Sequence, residues 1–157
     1  PARIEVVVHP QSIIHSMVGF ADGSVLAHLG PADMRVAIGH ALAWPERRAL
    51  PVERLDFARL ARLDFEAPDE ARFPALALAR KAMAAGGVAG CVLNASREVA
   101  LDAFIEGRIG FLDMAALVES AMEALDGLPP ATDLDAVYAA DAEARRTGRA
   151  LLARFAA

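Results

Sequence analysis

The chain has little with which to cross-link itself, enter a membrane or neutralise phosphate. Its 157 residues contain one cysteine, Cys91, so no internal disulfide can form. In an apolar, alanine-rich setting beside Val92 and Leu93, Cys91 reads as a buried apolar filler. Acidic residues outnumber Lys and Arg, 21 to 16, leaving a net charge of -5. That balance argues against a nucleic-acid partner, which requires massed cations. The small cluster Glu46, Arg47, Arg48 reads as a solvated loop. No apolar run approaches a membrane span, because Arg80 and Lys81 interrupt the most apolar stretch. No basic segment followed by a long apolar one marks a secretory signal. The single unpaired cysteine fits a reducing cytoplasm, the expected location. An initiator methionine is also missing, and the chain enters at once into a strand-like run, which reads as a cut through a larger protein.

What is present is apolar material. The hydrophobic fraction is 55% and the mean hydropathy +0.33, which excludes a disordered chain. The length suits one compact domain or two small ones.

Ile4 to Val8 is a short β-branched run and reads as a buried strand. Ile14 to Leu29, with Asp22-Gly23 at its middle, reads as a hairpin, since both turn residues must accept positive φ. Uninterrupted alternation would place Ile14, Ser16, Val18 and Phe20 on one face of the first arm and Ile13, His15, Met17 and Gly19 on the other. On the second arm Val25, Ala27 and Leu29 share a face, opposite Ser24, Leu26 and His28. Gly30-Pro31 ends the hairpin. Asp33 caps a helix from Met34 to about Ala43, which Trp44-Pro45 stops. Residues 45 to about 70 carry Pro45, Pro51 and Pro68 and read as a linker with one helical turn and a short strand.

From Phe73 onward the pattern is helical. "FPALALARKAMAA" closes on Gly86-Gly87. "VAGCVLNASREVALDAFIEG" follows, with Val92, Val99, Leu101 and Phe104 as core candidates and Gly107 past its end. "DMAALVESAMEALDG" opens on an Asp cap, and "DLDAVYAADAEARRTGRALLARFAA" completes four helices. Short connections make an antiparallel bundle the economical arrangement. Gly148 inside the last helix costs about 1 kcal/mol relative to Ala and marks a bend or a close contact. The fold class is α+β: a β-hairpin, strand and helix fragment, a linker, then a four-helix-bundle-like domain.

The chemistry-bearing residues gather in "HPQSIIHSM", residues 9 to 17. His9 and His15 are six apart across a proline, a spacing that no single helix face or strand offers to a metal. His15 has two readings: a half-buried histidine bonded to backbone, or part of an active-site wall. Ser12 and Ser16 lack a partnered base and acid, and no G-x-S-x-G elbow is present. No dinucleotide fingerprint or P-loop occurs, and "AAGGVAG" reads as a helix end. By default Asp33 is a cap and Met34 a core residue. Taken alone, these residues support a soluble α+β chain without naming a reaction.

The strings "IEVVVHPQSIIHSMVGFADGSVLAHLGPADMR", "ALAWPER", "LDFEAPDEARFPALALA" and "GRIGFLD", in that order and over nearly the whole chain, resemble the C-terminal part of the 1-deoxy-D-xylulose 5-phosphate reductoisomerase family. The resemblance implies a homodimer of three-part subunits. It implies NADPH and a divalent metal, Mg or Mn, as cofactors of the whole enzyme, with neither expected on this segment alone. The implied reaction rearranges 1-deoxy-D-xylulose 5-phosphate and reduces the product to 2-C-methyl-D-erythritol 4-phosphate in isoprenoid precursor synthesis. Residues 1–44 would be the end of the catalytic and dimerisation domain, 45–70 a linker and 71–157 the C-terminal helical domain. Carried over residue by residue, His15 matches an active-site histidine that binds substrate, Ser12 a substrate-facing serine, and Met34 a methionine packed near the nicotinamide. The hairpin matches strands that make much of the dimer contact.

This chain departs from the family pattern in several places. The family's glycine-rich NADPH loop, its D-S-E metal motif and its asparagine-lysine-glutamate segment are not in this chain. Asn94-Ala95-Ser96-Arg97-Glu98 stands where N-A-A-N-E is common, and Ala32 where the family usually has proline. The expectation is a segment inactive by itself. The competing reading, from another class, is a non-catalytic dimerisation or interaction module.

Overall fold

The structure is a computed structural model that describes residues 3–155. The chain divides into two compact units: Glu5–Pro68 forms one and the remainder the other.

In the first unit β1 (Ile14–Gly19) and β2 (Val25–Leu29) form an antiparallel hairpin. The turn departs from the expected pair of positive φ angles: Gly23 has φ 86 but Asp22 does not take positive φ, and Asp22 Oδ1 accepts from the Ser24 amide at 2.9 Å and from the Ser24 hydroxyl at 2.6 Å. These bonds hold the Asp22 carboxyl below its ordinary range. Directly opposed pairs are Ser16 with His28, Met17 with Ala27, Val18 with Leu26 and Gly19 with Val25, whereas Ile14 lies opposite Leu29. The first arm therefore advances two residues where the second advances one, and His15 is the extra residue of a β-bulge. The bulge overturns the uninterrupted alternation expected from the sequence, because Ile14 and Ser16 no longer share a face.

Helix α1 (Met34–Ala43) has the expected bounds. Asp33 Oδ1 accepts from the Arg35 amide at 2.9 Å, satisfying one orphan N–H of the first turn. Gly39 is a close approach: a Cβ there would lie 2.8 Å from Leu50. Residues 45–68 contain the single turn α2 (Phe57–Leu60), capped by Asp56, and a β-bridge between Val8 and Glu66. That bridge is all that forms at the strand expected over Ile4–Val8. Ile4, Val6, Val7 and Val8 are exposed, because only Val8 has a ladder partner among the described residues.

The second unit holds α3 (Ala75–Ala85), α4 (Ala89–Ile105), α5 (Phe111–Ala124), α6 (Leu134–Leu151) and a 3-10 turn at Leu152–Arg154. Helix α3 ends at Gly86 with φ 68, and Gly107, just past α4, has φ 71. Helix α5 begins earlier than expected. Gly110 is its cap, and Asp113, three residues in, accepts from the Gly110 amide at 2.8 Å.

α4 is central to the packing. Its buried stripe is Val92, Ala95, Ser96, Val99, Ala100 and Ala103, mostly small side chains. The expected core residues Leu101 and Phe104 are instead exposed, because a stripe of small residues lets α5 and α6 approach closely. Gly148 on α6 is part of that approach: an added Cβ would lie 3.4 Å from Val99. Buried Ser96 stays satisfied by donating to the Val92 carbonyl at 2.7 Å. Leu117 is fully buried, and its burial contributes about 2 kcal/mol.

Candidate functional site

The turn "HPQS" is built before it is exposed. The Ser12 amide donates to the His9 carbonyl at 3.0 Å, closing a turn, and Ser12 has φ 52. A non-glycine residue in the left-handed region is uncommon, and such residues cluster where geometry serves a site. The turn is tied to a segment more than fifty residues away. His9 Nδ1 donates to the Asp64 carbonyl at 2.7 Å, and Gln11 Nε2 donates to Asp64 Oδ2 at 2.5 Å. The Asp64 amide returns a bond to Gln11 Oε1 at 3.2 Å. Phe65 stacks on the His9 ring at 4.8 Å between centroids.

The two histidines thus divide the two readings offered by the sequence. His9 is the half-buried, backbone-bonded histidine; its Nδ1 carries the proton, because a carbonyl can only accept. His15 is exposed, and no side-chain hydrogen bond holds it among the described residues. The bulge turns its ring toward the side of His28: the two centroids lie 5.8 Å apart, tilted by 55°. The backbone of Gly30 lies beneath the same ring, with the site of an added Cβ 4.0 Å from His15 Cε1. The Gly30 amide donates to the Ile13 carbonyl at 3.0 Å, which fixes that floor. A bulge re-aims one side chain out of the alternating pattern, and here the re-aimed chain is an imidazole.

Met34 is the first residue of α1 and is 71% exposed, so the expectation of a core methionine fails. Its place is held by the cap. The Arg35 guanidinium grips the Asp33 carboxylate, with Nη2 to Oδ2 at 2.5 Å, and holds the Asp33 carboxyl down at about 2. The structure brings His15, His28 and Gly30 together. No hydrogen bond joins Ser12 or Met34 to His15 among the described residues. Sequence reasoning missed His28 and Asp64. His28 could have been found from the hairpin register, but nothing local could have linked Gln11 to Asp64.

The arrangement offers a hydroxyl at Ser12, imidazoles that donate and accept at His15 and His28, and an exposed thioether at Met34. Among the described residues no group of three or more His, Cys, Asp or Glu side chains is set to hold a metal ion. They therefore do not fit a divalent cation. At Cys91 burial raises the thiol pKa, Asp141 nearby adds to the effect and Arg145 opposes it, so the environment favours the thiol over the thiolate.

Comparison with known proteins adds to this geometry. A family model described as the DXP reductoisomerase C-terminal domain matches residues 29–147. The chain is 66% identical over 152 residues to the 1-deoxy-D-xylulose 5-phosphate reductoisomerase of Sinorhizobium medicae. It is 61% identical over 154 residues to that of Rhizobium rhizogenes. These alignments cover 97% and 98% of this chain but 39% of each relative, so the chain spans well under half their length. Among solved structures it is similar to the Zymomonas mobilis reductoisomerase in complex with NADPH, with TM-score 0.85, 50% identity, and 94% of this chain against 39% of that one. It is also similar to a DOX-P reductoisomerase in complex with NADPH, fosmidomycin and magnesium, with TM-score 0.88, 37% identity, and coverage of 94% and 38%.

Proposed function

Since the chain belongs to the 1-deoxy-D-xylulose 5-phosphate reductoisomerase family, we propose that it works as the C-terminal portion of such an enzyme. In that reading the whole enzyme turns 1-deoxy-D-xylulose 5-phosphate into 2-C-methyl-D-erythritol 4-phosphate in the cytoplasm. The observation that carries the proposal is His15 itself, an exposed imidazole re-aimed by a bulge and seated over the Gly30 backbone. His15 donates to, or accepts from, an oxygen of the bound sugar phosphate, and the adjacent turn presents the Ser12 hydroxyl to the same molecule. NADPH, when bound, supplies hydride. Met34 fits it in one respect, offering an exposed, polarisable side chain against a flat ring. The described residues do not fit the metal, and no step here is routed through one.

His15 acts by orienting substrate. Its ring nitrogens have no carboxylate partner among the described residues, so nothing fixes it as a lone general base. The test is His15→Gln in the full-length enzyme. An orienting hydrogen bond to a charged substrate predicts a fall in kcat/KM of about 10²-fold. An unchanged value removes His15 from the site. The segment of 157 residues alone consumes no NADPH in this reading; turnover by a sample of that intact mass contradicts it.

The same unit supports a homodimer through the hairpin. Val18 and Leu26, directly opposed across the hairpin, and Phe20 two residues on from Val18 are all exposed, an apolar face that a covering surface would remove from water. Sedimentation equilibrium of the full-length enzyme should give a dimer, and Leu26→Lys should shift it toward monomer. A monomer at high protein concentration sinks this part of the reading and the non-catalytic dimerisation module alike.

A further inference from the structure

The helical unit carries a cavity that the proposed reaction does not use. It lies on α3, α4 and α5 and has a volume of about 420 Å³, within the range of roughly 300–1,000 Å³ typical of small-ligand clefts. Leu78, Leu93 and Met114 line it, and the exposed rings of Phe73 and Phe111 stand beside them. The charged lining residues are Arg72 and Arg97; no acidic residue lines the cavity. Neither arginine makes an ion pair among the described residues. In the same unit Arg80, Lys81, Arg108, Arg145 and Arg146 do, while Arg149 and Arg154, away from the cavity, make none among the described residues. Arg72 lies over the Phe73 ring at 5.2 Å, so its charge is held beside the apolar lining. Arg97 stands where asparagine is common in the family the sequence resembles.

Two uncompensated guanidinium groups beside an apolar cavity, in a chain of net charge -5, select for a ligand of opposite sign with an apolar body. We propose that this cavity binds an anionic amphiphile, with its apolar part against Leu93 and Met114 and its carboxylate or phosphate head paired with Arg72 and Arg97. The site stands apart from the reductoisomerase reading and requires no redox chemistry. Its limited volume suits one alkyl chain and not a packed helix.

Methionine methyl NMR tests the proposal on the full chain, because the five methionines report on different places. Met114 lines this cavity, Met122 lines a different cleft, and Met17 and Met34 lie in the hairpin unit. The probes are decanoate and decyl phosphate below their micelle concentrations, with decanol and decyltrimethylammonium as controls. The expected result is a saturable shift of Met114 with Met17 and Met34 unmoved, and a much weaker response to the cation. Whichever of decanoate and decyl phosphate binds more tightly identifies the preferred head. Arg97→Gln should weaken binding about tenfold, as expected for one charge-assisted bond. The double variant R72Q/R97Q should bind the anions no better than decanol. Both side chains are exposed, and an unchanged melting temperature verifies that the variants fold. Failure of Met114 to saturate, equal binding of the cation, or indifference to R72Q/R97Q overturns the proposal.

Discussion

Both units leave apolar residues exposed, but among the described residues every buried apolar side chain lies in the helical unit. Leu78, Val92, Val99, Ile109, Leu117, Val118 and Leu151 are all buried, and all lie after residue 69. From residue 5 to residue 68 the one buried position is Gly30, while Val25, Leu26, Ile38, Leu42 and Trp44 are more than half exposed. Satisfied polar groups occur in both units: in the hairpin unit Gln11 bonds Asp64 and Arg35 bonds Asp33. In the helical unit Ser96, Glu98, Asp141 and Arg145 satisfy one another or the backbone. Ser12 and His15, in contrast, are exposed and make no side-chain hydrogen bond among the described residues. One unit thus encloses an apolar core of its own, whereas the other leaves its apolar residues at its surface.

The contrast can be broken most forcefully in the bundle core. Leu117→Ala should destabilise the helical unit by about 2–5 kcal/mol, as for other fully buried leucines; a chemical denaturation midpoint reads it. The equivalent truncation Leu42→Ala, at an exposed position, should change the same midpoint by under about 0.5 kcal/mol. A Leu42 effect as large as that of Leu117 would erase the distinction. Next in size is Gly148→Val, which adds methyl groups beyond a Cβ that would itself lie 3.4 Å from Val99. It should cost about 1–3 kcal/mol by overpacking, read by thermal unfolding. Gly148→Ala should cost much less, because ordinary contact and the better helix propensity of alanine oppose each other. Asp133→Ala removes the side chain that accepts from the Ala136 amide at 2.8 Å, a loss of about 1 kcal/mol in α6.

A smaller effect should appear as a pH dependence. Arg145 donates to Glu98 at 2.7 Å and to Asp141 at 2.6 Å, and these bonds hold both carboxyls below their ordinary values of 4.5 and 3.8. A carboxyl whose pKa is lower folded than unfolded favours the fold above the unfolded value. That contribution is lost as pH falls through the lower, folded values. Melting temperature should therefore decline below about pH 4.5, and Arg145→Gln should flatten that part of the decline. A curve identical in the two proteins would show that the network contributes nothing.

The hairpin, its Asp-Gly turn, the Asp33 cap and the helix from Met34 to Ala43 were legible because each rests on a local rule of sequence and backbone. The four later helices were legible for the same reason. Their packing was less so: α4 buries alanines and a serine, and the larger Leu101 and Phe104 stay outside, because closeness to α6 selects for small residues. The Ile4–Val8 run has strand composition but one ladder partner, and composition alone cannot supply a ladder. Within the site, the sequence pointed to His15 and Ser12 through family motifs, not through periodicity. The bulge that re-aims His15 has no local signature, since it depends on which residue of β2 stands opposite. Nor does any local pattern join Gln11 to Asp64.

Two variants measured side by side test the central claim most directly: His15→Gln and Asp133→Ala, each in the full-length enzyme, each assayed for kcat/KM and for melting temperature. The account predicts that H15Q lowers kcat/KM by about 10²-fold with little change in melting temperature, and that D133A does the reverse. If H15Q lowers the melting temperature and leaves kcat/KM intact, His15 is a structural residue and the division of labour between the two units is wrong.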